Sequence, residues 1–152
     1  MPRDVTLPTI PTVAELLGEA YTPALKVAFP DVAPPFVPCG YLILCQLRSP
    51  RKLSKGGIII PDDTKDAEKY RTQTALVRFV GPAAFKRRDT LAPWPEGAWC
   101  DAGQFVRTPM YGGDRVAVPY GQGDEEALFM TIKDTDVMGV IVGDPLAVKT
   151  LI

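Results

Sequence analysis

Five short runs of apolar residues with the two-residue period of a β-strand follow one another from Gly40 onward. Glycine-rich links join several of them, and no helical pattern of apolar residues separates one run from the next. Short strands without intervening helices predict an all-β fold, namely a small antiparallel barrel or sandwich. The predicted strands are Tyr41–Leu47, Thr74–Gly81, Asp114–Tyr120, Ala127–Ile132 and Val137–Val142.

Two of these runs carry information about their place in the fold. In "YLILCQL" the residues on both sides of the strand are mostly apolar, which predicts a strand that is buried on both faces. Proline cannot donate a hydrogen bond to a neighbouring strand, so Pro119 confines the third run to a sheet edge or to a strand end.

Prolines are frequent in the N-terminal extension, residues 1–37, and they exclude a long regular element there. Thr12 and Glu15 form a capping box, which predicts a short amphipathic helix within residues 12–21. Thr22 and Pro23 repeat the pattern of a helix start and predict a second short helix through residues 25–29. The apolar residues at helical spacing in the first helix are Val13, Leu16, Leu17, Ala20 and Tyr21.

The sequence divides into an extension, a main domain and a tail. We expect the main β-domain to span residues 38–143, with the extension outside it and a C-terminal tail at residues 144–152. Two connections inside the main domain, residues 48–73 and 82–113, are far longer than the usual length of about 4 to 6 residues. A connection of that length is either functional or a sign that the elements are wrongly assigned. The second one mixes basic, aromatic and turn-forming residues in "KRRDT", "APWPEGAW" and "TPMYGG" and predicts a protruding hairpin in which the tryptophans need cover.

The charge balance and the lack of histidine exclude several classes of function. Lys and Arg number 17 and Asp and Glu number 18, so no long-range field draws the protein to nucleic acid or to an anionic membrane. The chain has no histidine, the commonest general base and metal ligand, so an enzyme or a metal site is not expected. We predict a partner that is a protein or a small molecule.

Cysteine usage and the absence of a targeting pattern predict a cytoplasmic protein. Cys39, Cys45 and Cys100 are odd in number and lack CxxC spacing, so they are interpreted as core thiols in a reducing compartment. The N-terminus shows no basic segment followed by an apolar run, and no stretch reaches the roughly 18 apolar residues of a membrane span.

The isoleucines Ile58, Ile59 and Ile60 stand in the middle of a polar, charged stretch. A short apolar run of this kind is often an ordinary core strand. Here, however, Pro61 ends the run at once, and Gly56 and Gly57 give the backbone freedom that a core strand would avoid. The pattern favours a flexible loop that carries an apolar hook.

The segment "GGIIIPDDTKDAEKYRTQTALVRFVG" resembles the mobile loop of the GroES-like co-chaperonins and the strand that follows it. Three further segments resemble the family's other strands in the family's order: "PCGYLILCQL" its opening strand, "GGDRVAVPYG" its Gly-Asp-Arg-Val strand, and "EEALFMTIKDTDVMGVIV" its closing strand, Asp turn and final strand. The resemblance covers residues 38–142.

The resemblance implies an irregular β-barrel subunit of a seven-membered ring that caps an ATP-bound, GroEL-like chaperonin double ring and helps to enclose client proteins. It implies that Ile58, Ile59 and Ile60 dock in an apolar groove of the chaperonin, and that Gly56 and Gly57 supply flexibility. The family has no active site and no cofactor of its own, which agrees with the missing phosphate-binding loop; ATP belongs to the partner.

The sequence departs from the family in three places. The N-terminal extension is longer than the family's few residues. Residues 82–113, which we call the roof segment, stand where the family has its roof hairpin but are longer. Their large aromatic side chains are Trp94, Trp99 and Tyr111. The turn in "YGQGDEEALF" is shorter than the family's hairpin. Such divergence resembles the co-chaperonins of viral genomes, which act with a host or a viral chaperonin.

The sequence contains two basic clusters, one just before the isoleucines and one at the start of the roof segment. One comprises Arg48, Arg51, Lys52 and Lys55, and the other comprises Lys86, Arg87 and Arg88. We interpret both as solvated loop charges, with electrostatic steering toward an acidic rim as the alternative.

Two other functions compete with that of a co-chaperonin. A structural or assembly protein, for example of a virus particle, could use the same barrel as a scaffold. A small enzyme could use carboxylates, the candidates being Asp62, Asp63, Asp134 and Asp136. Adjacent carboxylates beside turns are more often caps, so Asp134 and Asp136 are expected to cap the turn before Val137.

Overall fold

Six antiparallel strands pair in the order β4-β5-β1-β2-β3-β6 in a computed structural model that describes residues 6–49, 72–121 and 125–148. The all-β prediction is therefore confirmed. The strands are β1 Leu42–Leu47, β2 Thr74–Val80, β3 Phe105–Arg107, β4 Asp114–Pro119, β5 Glu126–Lys133 and β6 Gly139–Val140.

Four of the five predicted strands lie where the sequence places them, and two strands differ from expectation. The run Val137–Val142 pairs as a strand only over Gly139–Val140, since Val137 turns into the core while Met138 and Val142 face solvent. Strand β3 was not predicted, because three residues are too few to show alternation; its place is fixed by pairing with Thr74–Leu76 of β2.

The sheet is open in the described part of the chain. Strands β4 and β6 form its two edges and do not pair with each other there, so the closed barrel that the resemblance implies is not seen. Pro119 is the last residue of edge strand β4, which confirms the position predicted for it.

Strand β1 lies between β5 and β2 and is buried on both faces, as predicted. Ile43, Cys45 and Leu47 pack into the larger core cluster, which also contains Met130 of β5. Leu44 packs on the opposite face with Phe129, Ala127 and neighbouring apolar side chains. Because both faces of the central strand need cover, the chain must supply a second layer on each side of the sheet.

The N-terminal extension supplies part of that cover. Its helices are α1, Val13–Leu17, and α2, Pro23–Ala28, and both begin at the predicted threonine caps: the hydroxyls of Thr12 and Thr22 accept amides three residues on. The described helices are too short to cross a membrane. Extension residues pack against Leu76 of β2 in one cluster whose buried members are Val13, Tyr21, Leu25, Ala28 and Phe29.

A buried arginine fixes the extension to the sheet. The Arg78 guanidinium, in the middle of β2, donates hydrogen bonds to the side-chain oxygen of Gln46 (2.7 Å) and to the carbonyls of Val32 and Pro11 (both 3.1 Å). The Gln46 amide in turn donates to the Pro30 carbonyl at 2.7 Å. Burial lowers the pKa of Arg78, and the negative charge of Asp31 opposes that shift. The carbonyls of Pro11 and Val32 bind Arg78 directly, and that of Pro30 is linked to it through Gln46. Three points of the extension therefore depend on one cation.

The cysteines occupy two kinds of environment. Cys45 and Cys100 are buried in the larger core cluster, as predicted, whereas Cys39 is exposed, so its assignment to the core is wrong. Cys39 precedes the turn that leads into β1, and its side chain finds no place in either face of the sheet.

The three thiols are therefore expected to differ in reactivity. Burial raises the pKa of Cys100 to about 11 and that of Cys45 still higher, so neither forms the reactive thiolate at pH 8 in the folded protein. We expect a thiol reagent at pH 8 to modify one cysteine per folded chain, and all three in guanidinium chloride. Mass spectrometry should place the single label on Cys39; fast labelling of Cys100 in the folded state would contradict the buried assignment.

Candidate partner-binding site

The isoleucines predicted to bind a partner, Ile58, Ile59 and Ile60, and the glycines predicted to give the loop flexibility, Gly56 and Gly57, lie outside the described residues. The same holds for Arg51, Lys52, Lys55, Asp62 and Asp63. The structure instead defines the two stems from which residues 50–71 leave the sheet. These stems are residues 48–49, after β1, and residues 72–73, before β2.

Three parts of the chain distant in sequence hold the first stem. The Arg48 amide continues the ladder with β2 by donating to the Thr74 carbonyl at 3.2 Å. The Ser49 amide donates to the carbonyl of Ala28, the last residue of α2, at 2.8 Å. The Arg48 side chain also contacts the Leu146 carbonyl at 3.4 Å. Arg48 is therefore a structural residue and not only a solvated charge.

The second stem is held by residues of β3, of the turn directly after it and of β4. Gln73 and Thr108 exchange two hydrogen bonds of 2.9 Å: the Thr108 amide donates to the Gln73 carbonyl, and the Gln73 side-chain amide donates to the Thr108 carbonyl. Arg107 donates to the Gln73 side-chain oxygen at 3.2 Å. Arg115 of β4 reaches the Thr72 carbonyl at 3.5 Å. Both stems are thus held by hydrogen bonds to the sheet and to the elements beside it.

The aromatic residues predicted for the roof divide into two groups. Trp94 and Trp99 are half-buried, 5.0 Å apart between ring centroids, and both pack against Phe85 at 5.6 Å and 6.0 Å. This cluster provides the cover that the tryptophans were expected to need. Tyr111, in contrast, is 72% exposed and lies on the turn between β3 and β4, away from that cluster.

A buried carboxylate fastens the roof segment to the sheet. Asp134 follows β5 and is fully buried; its oxygens accept hydrogen bonds from the Phe85 amide at 2.9 Å and from Arg88 at 2.6 Å. The Arg88 guanidinium also lies over the Tyr41 ring, 3.9 Å from its centroid. Phe85 has a φ of 58°, which is strained for a bulky residue, and these contacts hold it there.

These contacts revise two predictions. Asp134 does not cap the short 3-10 helix Asp134–Asp136, whose N-cap is Lys133 without a side-chain hydrogen bond; its carboxylate accepts the adjacent Thr135 amide at 2.8 Å and binds the roof segment. Arg88 is a structural cation, while Arg87 pairs with Asp89 at the surface, as a solvated charge does. Hydrogen bonds to Asp134 occupy both of its oxygens, an arrangement that suits a structural role. Among the described residues, no cluster of carboxylates and thiols could hold a metal ion.

Removing the Asp134 carboxylate is expected to loosen the roof segment. In Asp134→Ala the Phe85 amide and the Arg88 guanidinium lose their acceptor, which should cost about 2 to 3 kcal/mol of unfolding free energy because Arg88 is partly exposed. Trp94 and Trp99 are the only tryptophans of the chain, so a red shift of their emission reports the loosening. Asp136→Ala removes a carboxylate from the same turn and serves as the control; equal effects of both changes would contradict the tether.

Sequence reasoning missed the residues that hold the stems and the roof. Gln73, Arg115 and Asp134 each form a hydrogen bond with a residue more than 30 positions away in the sequence. Arg115 also binds the nearby carbonyls of residues 109 and 110. No local pattern marks them, because each is an ordinary polar residue at a strand start or end. The capping pattern found Asp134 but not its main partner.

The fold and the two stems together define a class of protein. It is an all-β scaffold from which a long connection leaves at two hydrogen-bonded stems, and Asp134 separately holds the roof segment with its aromatic cluster. No protein-family model matches the chain. A curated relative, Co-chaperonin GroES of Methylacidiphilum infernorum (isolate V4), is 30% identical over 112 residues, which are 74% of this chain and 99% of that protein. The chain belongs to the GroES co-chaperonin family.

Proposed function

We propose that this protein is a co-chaperonin that caps an ATP-bound, GroEL-like chaperonin ring through Ile58, Ile59 and Ile60. The observation that carries the proposal is the alignment over 99% of a GroES co-chaperonin, joined to a frame that pins both stems of the segment containing these isoleucines. The partner is a double-ring chaperonin of the host or one encoded by a virus. ATP acts on the partner, and this chain supplies no catalytic residue or cofactor of its own.

The energetics of the isoleucine segment favour a ring of subunits. Burying three isoleucines contributes about 5 to 9 kcal/mol gross at roughly 1.5 to 3 kcal/mol each. Ordering ten backbone residues at about 1 kcal/mol apiece offsets this gain, so one segment alone binds weakly. Several segments on one rigid scaffold raise the effective concentration of each other and give useful affinity.

The edge of the sheet supports self-association. Strand β6 is an edge strand, and the apolar side chains of Met138 and Val142 beside it are 67% and 89% exposed, with Val140 at 39%. An edge with exposed apolar side chains pairs readily with another chain. We propose that this edge contributes to a closed ring, of seven subunits by family resemblance, in which the sheet curls into the family's barrel and the roof segment faces the enclosed client.

The test mixes the purified protein with a chaperonin double ring, with and without Mg-ATP, and follows co-migration by size-exclusion chromatography. Co-migration that requires nucleotide is the expected result in the cytoplasmic setting proposed for the protein. Binding that is independent of nucleotide, or an absence of binding to both the host chaperonin and any chaperonin encoded beside the protein, would favour the structural or assembly role instead.

A further inference from the structure

Tyr111 is an exposed aromatic side chain on an unusually fixed turn. The turn connects β3 to β4, and its tyrosine ring is 72% exposed. Isolated exposed apolar residues are common, so exposure alone has no functional meaning. Tyr111 is of interest because the contacts that hold its turn also hold the second stem.

One arginine ties this turn to the second stem. The Arg115 guanidinium donates to the carbonyl of Met110 at 2.7 Å, to that of Pro109 at 3.3 Å and to that of Thr72 at 3.5 Å. Met110 immediately precedes Tyr111, and Thr72 is the first described residue after the isoleucine-bearing segment. Arg115 therefore joins the second stem to the backbone of the turn that carries Tyr111.

The two glycines after Tyr111 allow the turn to pack closely, since neither position has room for a side chain. A Cβ atom on Gly112 would lie 3.0 Å from the Pro109 ring, and one on Gly113, at a φ of 78°, would lie 2.9 Å from the Thr131 carbonyl of β5. The turn is thus packed closely against itself and against the sheet. A backbone held in this way presents the Tyr111 ring from a defined position, so binding through the ring need not order the turn.

We propose that Tyr111 is a second contact with the ring partner, placed beside the stem so that it meets the partner's surface next to the groove that takes the isoleucines. The inference rests on the proposed function. The partner region that fits is a mixed surface with an apolar patch for the ring and an acceptor for the hydroxyl. Because the turn is closely packed, this contact orients the subunit, while the isoleucines provide the apolar anchor.

The test compares four variants, Tyr111→Ser, Tyr111→Phe, Leu91→Asn and Ile59→Asp, in nucleotide-dependent binding to a chaperonin double ring, measured by titration. Tyr111→Ser is expected to weaken apparent affinity about tenfold or more, since a loss of about fivefold at one contact is compounded across the ring. Tyr111→Phe should retain most of the affinity. Leu91→Asn removes a 57% exposed leucine from the roof segment, where φ is 61° and asparagine is tolerated, and should bind like the wild type.

Each outcome decides between the alternatives. If Tyr111→Ser binds like the wild type while Ile59→Asp does not bind, the second contact is wrong and the proposed function stands. If Leu91→Asn weakens binding as much as Tyr111→Ser, the effect is a general one of exposed apolar residues and the second contact is also wrong. If the wild type fails to bind any chaperonin, the proposed function and this inference fall together. Light scattering of each variant should show an unchanged assembly.

Discussion

Replacing Ile59 with aspartate is expected to abolish nucleotide-dependent binding to a chaperonin ring. The change removes an apolar side chain worth roughly 1.5 to 3 kcal/mol on burial and places a carboxylate where an apolar groove must accept it. A loss of at least about 3 kcal/mol per subunit weakens each contact more than hundredfold, and the losses combine across a ring. Size-exclusion co-migration and titration with labelled protein measure the effect.

The fold should be unchanged by this substitution, because the described core is built from strands that precede and follow residues 50–71. Thr64→Asp adds the same charge to the same segment outside the isoleucines and should bind like the wild type. Equal loss of binding in both variants would mean that charge, and not the isoleucine side chain, controls association. Normal binding of Ile59→Asp would remove the isoleucines from the interface.

Replacing Arg78 with methionine is expected to destabilise the protein by about 3 to 5 kcal/mol, a fall of about 10 °C in melting temperature for a chain of this size. Methionine fills much of the volume but cannot donate, so Gln46 and the carbonyls of Val32 and Pro11 lose their donor in a buried site. Because these acceptors belong mainly to the N-terminal extension, we expect the extension to detach first.

Limited proteolysis tests that order of events. Cleavage within residues 6–37 should precede cleavage of the sheet in Arg78→Met, and hydrogen exchange should rise first in α1 and α2. Arg87→Met is a matched control, since Arg87 is exposed and pairs only with the exposed Asp89 among its described ion pairs; it should not change the melting temperature measurably. Cooperative loss of sheet and extension together would show that the extension is inseparable from the main fold.

The extension also contacts the partner-binding frame, since the Ala28 carbonyl accepts the Ser49 amide of the first stem. Detachment of the extension in Arg78→Met should therefore loosen that stem as well. The division into an extension at residues 1–37 and a domain at residues 38–143 stays a prediction, but the extension packs on β2 and is not an independent arm.

The sequence by itself determined the features that depend on local physics. Short runs rich in apolar residues, bounded by turn residues, located β1, β2, β4 and β5 to within about a residue, because the burial of a strand depends on its own side chains. The threonine caps located both helices, since the cap binds amides only three residues away. The order of the strand motifs also sufficed to recognise the family, which the GroES relative then showed.

Only the tertiary structure decided what the polar residues do. Arg78, Arg88, Arg115 and Asp134 each join parts of the chain that are far apart in sequence, so no window of neighbouring residues could reveal their partners. The same holds for β3, which is a strand only because β2 lies beside it, and for Cys39, whose exposure depends on where the turn before β1 emerges. Short-range periodicity reports which residues are buried, whereas the pairing of buried polar groups depends on how distant segments meet.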